Sequence, residues 1–444
     1  MGKVLGRVGL AVFGLVCMAV ALYTVSRLMP PPRAEADALA LLDAPRERAG
    51  RNGFAALWAV AHDLPLERAQ ALLDEEARRL SLHPLPDAAH APYASVLASY
   101  PLLVATDTAP AVSCNALMGG CLHAVRQDPA GFAAMREQRR ALTARIAALD
   151  AYDYFANPLP PRPEAMMPSY QVLLQELDVH AHAFVAGDVD AGLEGACRSV
   201  SLGRRLAGSG DNLLASMVGA ALVEGGSTLF VDMLAELPPE RALPPTCQRA
   251  FPAEVSMASA ICPTMLGEGH HIVDGMRLLN REQQRQNWRA AIFMDVEKTA
   301  ARSAPRFAWY CGDEAAALVQ ADRPLRSLAR DTSPWSLACV ANAVGCILDG
   351  IAAPGLDGHA RRLQDADMRL KLVATWLWLR EHPDDPRPLA ERLAARPDAL
   401  KSPARAIGVS ADGRLVAARH EARPQGGDGG LPIPEWMADA GRSQ

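Results

Sequence analysis

The stretch LQELDVHAHAFVAGD carries Glu176, Asp178, His180 and His182, and carboxylates beside a His-x-His suit a metal-dependent hydrolase when they end a β-strand. The apolar residues around them, Tyr170, Leu173, Leu174, Leu177, Ala181 and Phe184, recur instead at helical spacing. Side chains two apart on a helix point roughly 200° from each other, so the two imidazoles cannot grip one ion. The spacing predicts carboxylate to imidazole pairs at i, i+4, Glu176 with His180 and Asp178 with His182.

A second cluster, GEGHHIVDG, offers Glu268, His270, His271 and Asp274. His270 and Asp274 are four apart and share a face, but the stretch is not HExxH, and a zinc ion would need a further ligand from elsewhere in the chain. A polar helix face beside a core is the simpler reading. His62-Asp63 is an isolated pair and reads as hydrogen-bonded structure. There is no GxSxG elbow, and Ser209, Ser227 and Ser410 are expected in glycine-rich turns. The four lysines, Lys3, Lys298, Lys371 and Lys401, follow no glycine-rich loop, which excludes a P-loop. GEGHHI lacks the third glycine of a dinucleotide fingerprint. The sequence therefore assigns no catalytic residue, no metal ligand and no cofactor site, and the expected cofactor is none.

Cysteine chemistry is more informative. Of nine cysteines, Cys17 lies in an apolar run, and Cys114, Cys121, Cys197, Cys247, Cys262, Cys311, Cys339 and Cys346 remain. An even number following an export signal reads as disulfides formed in an oxidising compartment. Cys114 with Cys121 and Cys339 with Cys346 are the expected local bridges. The other four allow three pairings, among which Cys247 with Cys262 and Cys197 with Cys311 is preferred. No CxxC occurs, so neither a thioredoxin-type site nor a zinc knuckle is indicated.

The elements that position these residues begin with VGLAVFGLVCMAVALYTV, residues 8–25, which has no charge and meets the length of a membrane-spanning helix. Lys3 and Arg7 precede it; Arg27 and Arg33 follow, offset by Glu35 and Asp37, so residues 1–7 are expected in the cytoplasm and the bulk in the periplasm. Cleavage near Ala34 to Ala36 is the competing reading, opposed by Arg27 and the prolines at 30 to 32. No second run of comparable length is read as a span. Net charge of -5, and no interleaving of aromatics with basic residues, exclude nucleic acid as a partner.

With 5% aromatics and abundant Ala, Leu and Arg, the composition predicts a mainly α protein: a disulfide-pinned stack of antiparallel helical hairpins. Residues 26–37 form a spacer and 38–156 a first helical subdomain, in which Asp128 and Pro129 start a helix to about Tyr152. The proline-rich segment 157–168 reads as a linker. Residues 169–402 form a second subdomain, with a turn at Gly187-Asp188 and Asp211 capping a long third helix. A β-hairpin over 403–420 turns at Asp412-Gly413, and 421–444 is a disordered tail. The cleft between residues 34–156 and 169–420 is the expected binding place.

RNGFAALWAVAHDLP, SCNALMGGCLHAV, DNLLASMVGAALVEGG and CVANAVGCILDGIAAPGLDGHARRLQDADMRLKLVATWLWLR occur in that order. In layout and in these short phrases, most of residues 50 to 420 resembles a family of uncharacterised membrane-anchored, exported helical proteins of Gram-negative bacteria. The resemblance implies no catalytic residues. The expected function is a non-enzymatic, membrane-anchored periplasmic module that binds an unidentified protein partner, in a narrower form an inhibitor (immunity protein) against a secreted toxin. The alternative is a metal-dependent hydrolase whose site gathers His270, Asp274, His180 or His182 from distant places.

Overall fold

The computed structural model describes residues 2–84, 92–104, 112–252, 256–286, 292–327, 336–351, 355–422 and 429–438. The chain is mainly helical, with one small sheet near the C-terminus. The first helix, α1 (Gly2–Leu28), contains an exposed apolar stretch long enough to cross a membrane. It is followed by α2 (Arg33–Asp43), α3 (Phe54–Trp58), α4 (Leu66–Leu82), α5 (Cys121–Gln127), α6 (Pro129–Gln138) and α7 (Arg140–Ala148). Asp128 caps α6 as expected, its side chain accepting from Gly131 N. The single helix expected to Tyr152 breaks at Arg139, whose φ of -92° and ψ of 1° leave helical geometry.

Three long helices form the centre: α8 (Gln171–Val185), α9 (Val189–Gly208) and α10 (Leu213–Ala235). Gly187 turns α8 into α9 with φ +93°, a conformation that a side chain disfavours. Asn212, rather than Asp211, caps α10 by accepting from Ala215 N, while Asp211 accepts from Asn157 N. Ser227, expected in a turn, is buried inside α10. By length and composition α10 is also apolar enough to cross a membrane, but 72% of its apolar window is buried, which makes it the core helix. It packs on α9 at Gly203 and Gly219: a Cβ added to Gly203 would sit 2.5 Å from the Gly219 carbonyl oxygen.

After α11 (Pro245–Ala250), α12 (Ile261–Gln286), α13 (Val296–Ala308), α14 (Asp313–Gln320) and α15 (Ala343–Ile351) comes α16 (Leu356–Glu381), which lies against α10. Beyond α17 (Leu389–Ala395), strands β1 (Ile407–Val409), β2 (Arg414–Ala417) and β3 (Leu431–Pro432) pair antiparallel in that order, Ile407 opposite Ala417 and Leu415 opposite Leu431. The expected hairpin is thus two strands of a three-stranded sheet. Its third strand, and α18 (Glu435–Ala438), come from the segment expected to be disordered. Apolar contact orders that segment: Met437 is fully buried, Trp436 meets Trp376 edge to face, and Trp376 Nε1 donates to Pro432 O at 2.8 Å. The rest of the expected tail, 439–444, lies outside the described residues.

The proline-rich segment 157–168 does not separate two cores. Leu57, Leu142 and Phe155 from before it share one apolar cluster with Leu173, Leu206 and Leu222 from after it, and Val125 and Phe132 join Leu177 and Phe230 in another. Leu159 of the segment is itself buried against Trp58 and Leu64. Extended, proline-fixed backbone can be packed as well as free, and residues from both sides of the segment share these cores.

Four disulfides pin the stack: Cys114–Cys121, Cys197–Cys247, Cys262–Cys311 and Cys339–Cys346, with Cys17 free. The two local bridges are those expected; the long-range pairing is corrected. Cys197 on α9 faces Cys247 on α11, and Cys262 at the start of α12 faces Cys311 after α13. Spacing carries no information about which helices lie side by side. Peptide mapping of non-reduced protein is expected to recover these four cross-linked pairs, and a Cys247–Cys262 peptide would refute the packing of α11 on α9.

A buried charge network fastens the sheet to the helices. Arg405, nearly fully buried, donates to Asp322 Oδ1 at 2.6 Å and to Asp365 Oδ1 at 2.6 Å. Burial opposes the charge of Asp322, but hydrogen bonds from His420, Arg405 and Ser402 outweigh it and hold the carboxyl well below its usual range. A folded-state pKa below the unfolded one adds stability that is present above the unfolded value, about 4, and is lost as pH falls towards the folded value. Arg405→Ala strands two buried carboxylates and is expected to cost on the order of 3–5 kcal/mol in denaturant melts at neutral pH, with a smaller difference from wild type at pH 3. An equal cost at both pH values would show that the network's charge is not what stabilises the sheet.

Candidate functional site

The residues singled out in the sequence occupy structural positions. Glu268 accepts from Leu213 N at 3.0 Å and so caps the start of α10. His62 is bonded through Nδ1 to Tyr100 O at 3.1 Å. Asp43, His270 and Asp274 bring ligand atoms within 4.8 Å of one another, the nearest approach to a metal site with free ligands among the described residues. A guanidinium already occupies that position. Arg277 donates to Asp43 at 2.8 and 2.9 Å, to Glu297 at 2.9 and 2.8 Å and to Asp274 at 3.3 Å. The hydrolase set of His270, Asp274, His180 and His182 is not brought together, since neither histidine of α8 belongs to this group.

On α8 the expected pairs Glu176–His180 and Asp178–His182 do not form. Asp178 faces the Cys114–Cys121 bridge and accepts from Cys114 N at 3.4 Å; those sulfurs are bonded to each other and offer no thiolate. Burial pushes the Asp178 carboxyl up to about 6 despite that bond. His180 packs over Gly195 of α9, where any side chain would collide with its ring. Burial, then the charges of Arg198 and Arg136, push it down to about 4, so it is a neutral packing residue at pH 7. Glu176 is 2% exposed and neither carboxyl oxygen has a hydrogen-bond partner among the described residues. Burial raises it to about 7, more than Thr143 and Arg139 lower it.

The feature with binding chemistry lies further along α9, in CRSVSLGRRLAG. Arg198, Ser201, Arg205 and Gly208 are spaced to share one face, and with Arg204 they line a cavity of about 450 Å³ closed by Arg249 of α11 and by Ser256 to Ala260. The Cys197–Cys247 bridge, one and two residues from Arg198 and Arg249, fixes α11 beside α9. Among the described residues one acid, Asp150, lines the cavity: Arg205 donates to its Oδ1 at 2.6 Å, and Arg198 Nε lies 3.4 Å from its Oδ2.

Arg204 and Arg249 have no carboxylate partner among the described residues. Arg204 Nη1 instead donates to the carbonyls of Arg249 and Ala250, at 3.2 and 2.8 Å, where α11 ends. Its Nε, and Thr246 Oγ1 on the same wall, are buried without a hydrogen-bond partner among the described residues. Burial lowers the pKa of the Arg204 guanidinium, with no opposing charge to restore it. A desolvated cation with unused donors is an unfavourable arrangement that an anion relieves. In the sequence the paired basic residues of α9 are legible as one face, but they carry no acid, base or metal-ligand signature that marks a site.

Glu176 tests the electrostatics of α8. A carboxyl raised from its unfolded value to about 7 binds its proton more tightly when folded, so the chain loses stability as pH rises from about 4.5 to 7. Glu176→Gln is expected to melt within error of wild type near pH 4.5 and a few degrees higher at pH 8. A pH-independent difference would mean that Glu176 is ionised and paired.

The chain matches no protein-family model, no curated protein and no solved structure.

Proposed function

We propose that the protein is a non-enzymatic binding module, held in the inner membrane of a Gram-negative cell by α1 with its bulk in the periplasm, that receives an acidic segment of a partner protein in the arginine-lined cavity. The apolar stretch of α1, the basic residues before it and four disulfides favour that location. The observation that carries the binding reading is the pair Arg204 and Arg249, two guanidiniums that have no carboxylate among the described residues, at a cavity whose one described lining acid is already shared by Arg198 and Arg205.

Arginine forks suit carboxylates, and a cavity of about 450 Å³ admits one or two acidic side chains rather than a folded surface. The site therefore reads a short acidic segment projecting from a partner. Hydroxyls of Ser201, Ser256 and Ser259 on the lining add donors for the same oxygens.

Full-length protein in detergent, titrated with a fluorescein-labelled Asp/Glu-rich peptide, is expected to bind it saturably and more weakly as salt rises. Arg249→Glu, at an exposed position that folding does not need, is expected to weaken binding by about tenfold or more. No saturable binding, or equal affinity in the variant, would remove the cavity from the proposal.

A further inference from the structure

The base of α1 is bolted to the domain. Tyr23 Oη donates to Ile292 O at 2.7 Å, and Ala341 N donates to the fully buried Ser26 Oγ at 2.9 Å. Lys298 Nζ donates to the carbonyls of Ser26 and Arg27 at 2.6 and 2.7 Å, satisfying acceptors that a helix C-terminus leaves open, and Arg27 pairs with Asp295 at 3.2 Å. Segments 292–298 and 336–344 are thereby held level with the last turn of the apolar stretch.

In that region α15 is built inside out. Its polar residues face the protein: Asp349 pairs with Arg306 at 2.9 Å and Arg302 at 3.3 Å, and Asn342, just ahead of the helix, bonds Thr299 at 3.1 Å and accepts from Asp295 N at 2.8 Å. Gly345 lets α15 sit directly on Thr299. The apolar residues face outward: Leu337, Val340, Val344, Ile347 and Leu348 follow helical spacing and are 39–53% exposed, beside Phe293 at 53%. Val344 N bonds Phe293 O at 3.1 Å, which joins the two parts of the patch. Residues 336–348 contain no charge. A helix that pairs its acid inside and shows its aliphatic side outside is arranged for a surround less polar than its own neighbours.

We infer that α15, with Phe293 and residues 337–340, is a second membrane contact, seated in the lipid at the boundary where α1 leaves the bilayer. This rests on the reading of α1 as a span. An apolar helix over residues 8–25 rises about 27 Å, close to a hydrocarbon core of about 30 Å, which puts Tyr23 to Ser26 at the lipid boundary. The rigid joints at Tyr23, Ser26 and Lys298 leave the patch at the same depth. The Cys339–Cys346 bridge closes the turn that presents Val340 and Val344. Two membrane contacts, one spanning and one lying flat, set the orientation of the whole domain, which a single flexible tether does not do.

The test uses the full chain in phosphatidylcholine vesicles, with an environment-sensitive fluorescent amino acid at Ile347 in one preparation and at Val25 in another. Lipids brominated high in the acyl chain are expected to cause a comparable loss of emission at both positions. Quenching at Val25 without quenching at Ile347 overturns the patch and leaves the span standing. Absence of quenching at both removes the span, and this inference with it. A photo-crosslinker at Ile347 that joins two copies of the chain in place of lipid would also overturn it, marking the face as a contact between protomers.

Discussion

The contact between α9 and α10 at Gly203 and Gly219 is the constraint on which the rest depends. Each glycine lies so close to the other's carbonyl that a Cβ would sit 2.4 to 2.5 Å from it, so the two backbones meet without side chains between them. Fixing these helices fixes what each carries. The far side of α10 receives α16 and the sheet, and α9 presents Cys197 to α11 and its arginines to the cavity. Enlarging either glycine would spread the helices and shift the guanidiniums relative to α11.

Charge is distributed on this scaffold in two contrasting ways. Around Arg405 every partner is present: Asp322 and Asp365 accept from it, and Asp365 also takes the backbone N–H groups of His420 and Glu421 at 2.9 and 3.0 Å. A complete buried network specifies where the sheet docks. Around Arg204 the network is incomplete, and it opens on a cavity. Apart from these networks, Glu176, Asp178 and Asp232 are each raised above the normal carboxyl range chiefly by burial, to about 7, 6 and 6.

The N-terminal helix is part of the same rigid body at its base. Had the spacer from residue 26 onward been loose, the domain would hang from the apolar stretch in any orientation. Ser26, fully buried beneath Ala341, and Lys298, closing the helix end, remove that freedom. The outward aliphatic face of α15 then has a fixed height relative to α1, and the arginine-lined cavity a fixed orientation with respect to the same axis.

Local chemistry was readable from the chain alone. The uncharged run at residues 8–25, the helical spacing on either side of Gly187, the cap at Asp128, the turn at Gly413 and the two bridges between cysteines seven apart all depend on neighbours within a few turns of backbone. Only the tertiary structure decided what depends on distant partners. Cys197 pairs with Cys247 because α11 lies on α9, the segment 157–168 is anchored because Leu159 joins the apolar cluster of Trp58 and Leu64, and the C-terminal segment orders because Trp376 and Arg392 hold it. The arginine-lined cavity belongs to the same class: its described residues come from α9, α11, the turn at Asp150 and residues 256–260, and neither charge nor spacing along a one-dimensional chain records which guanidiniums lack a carboxylate among them once the helices meet.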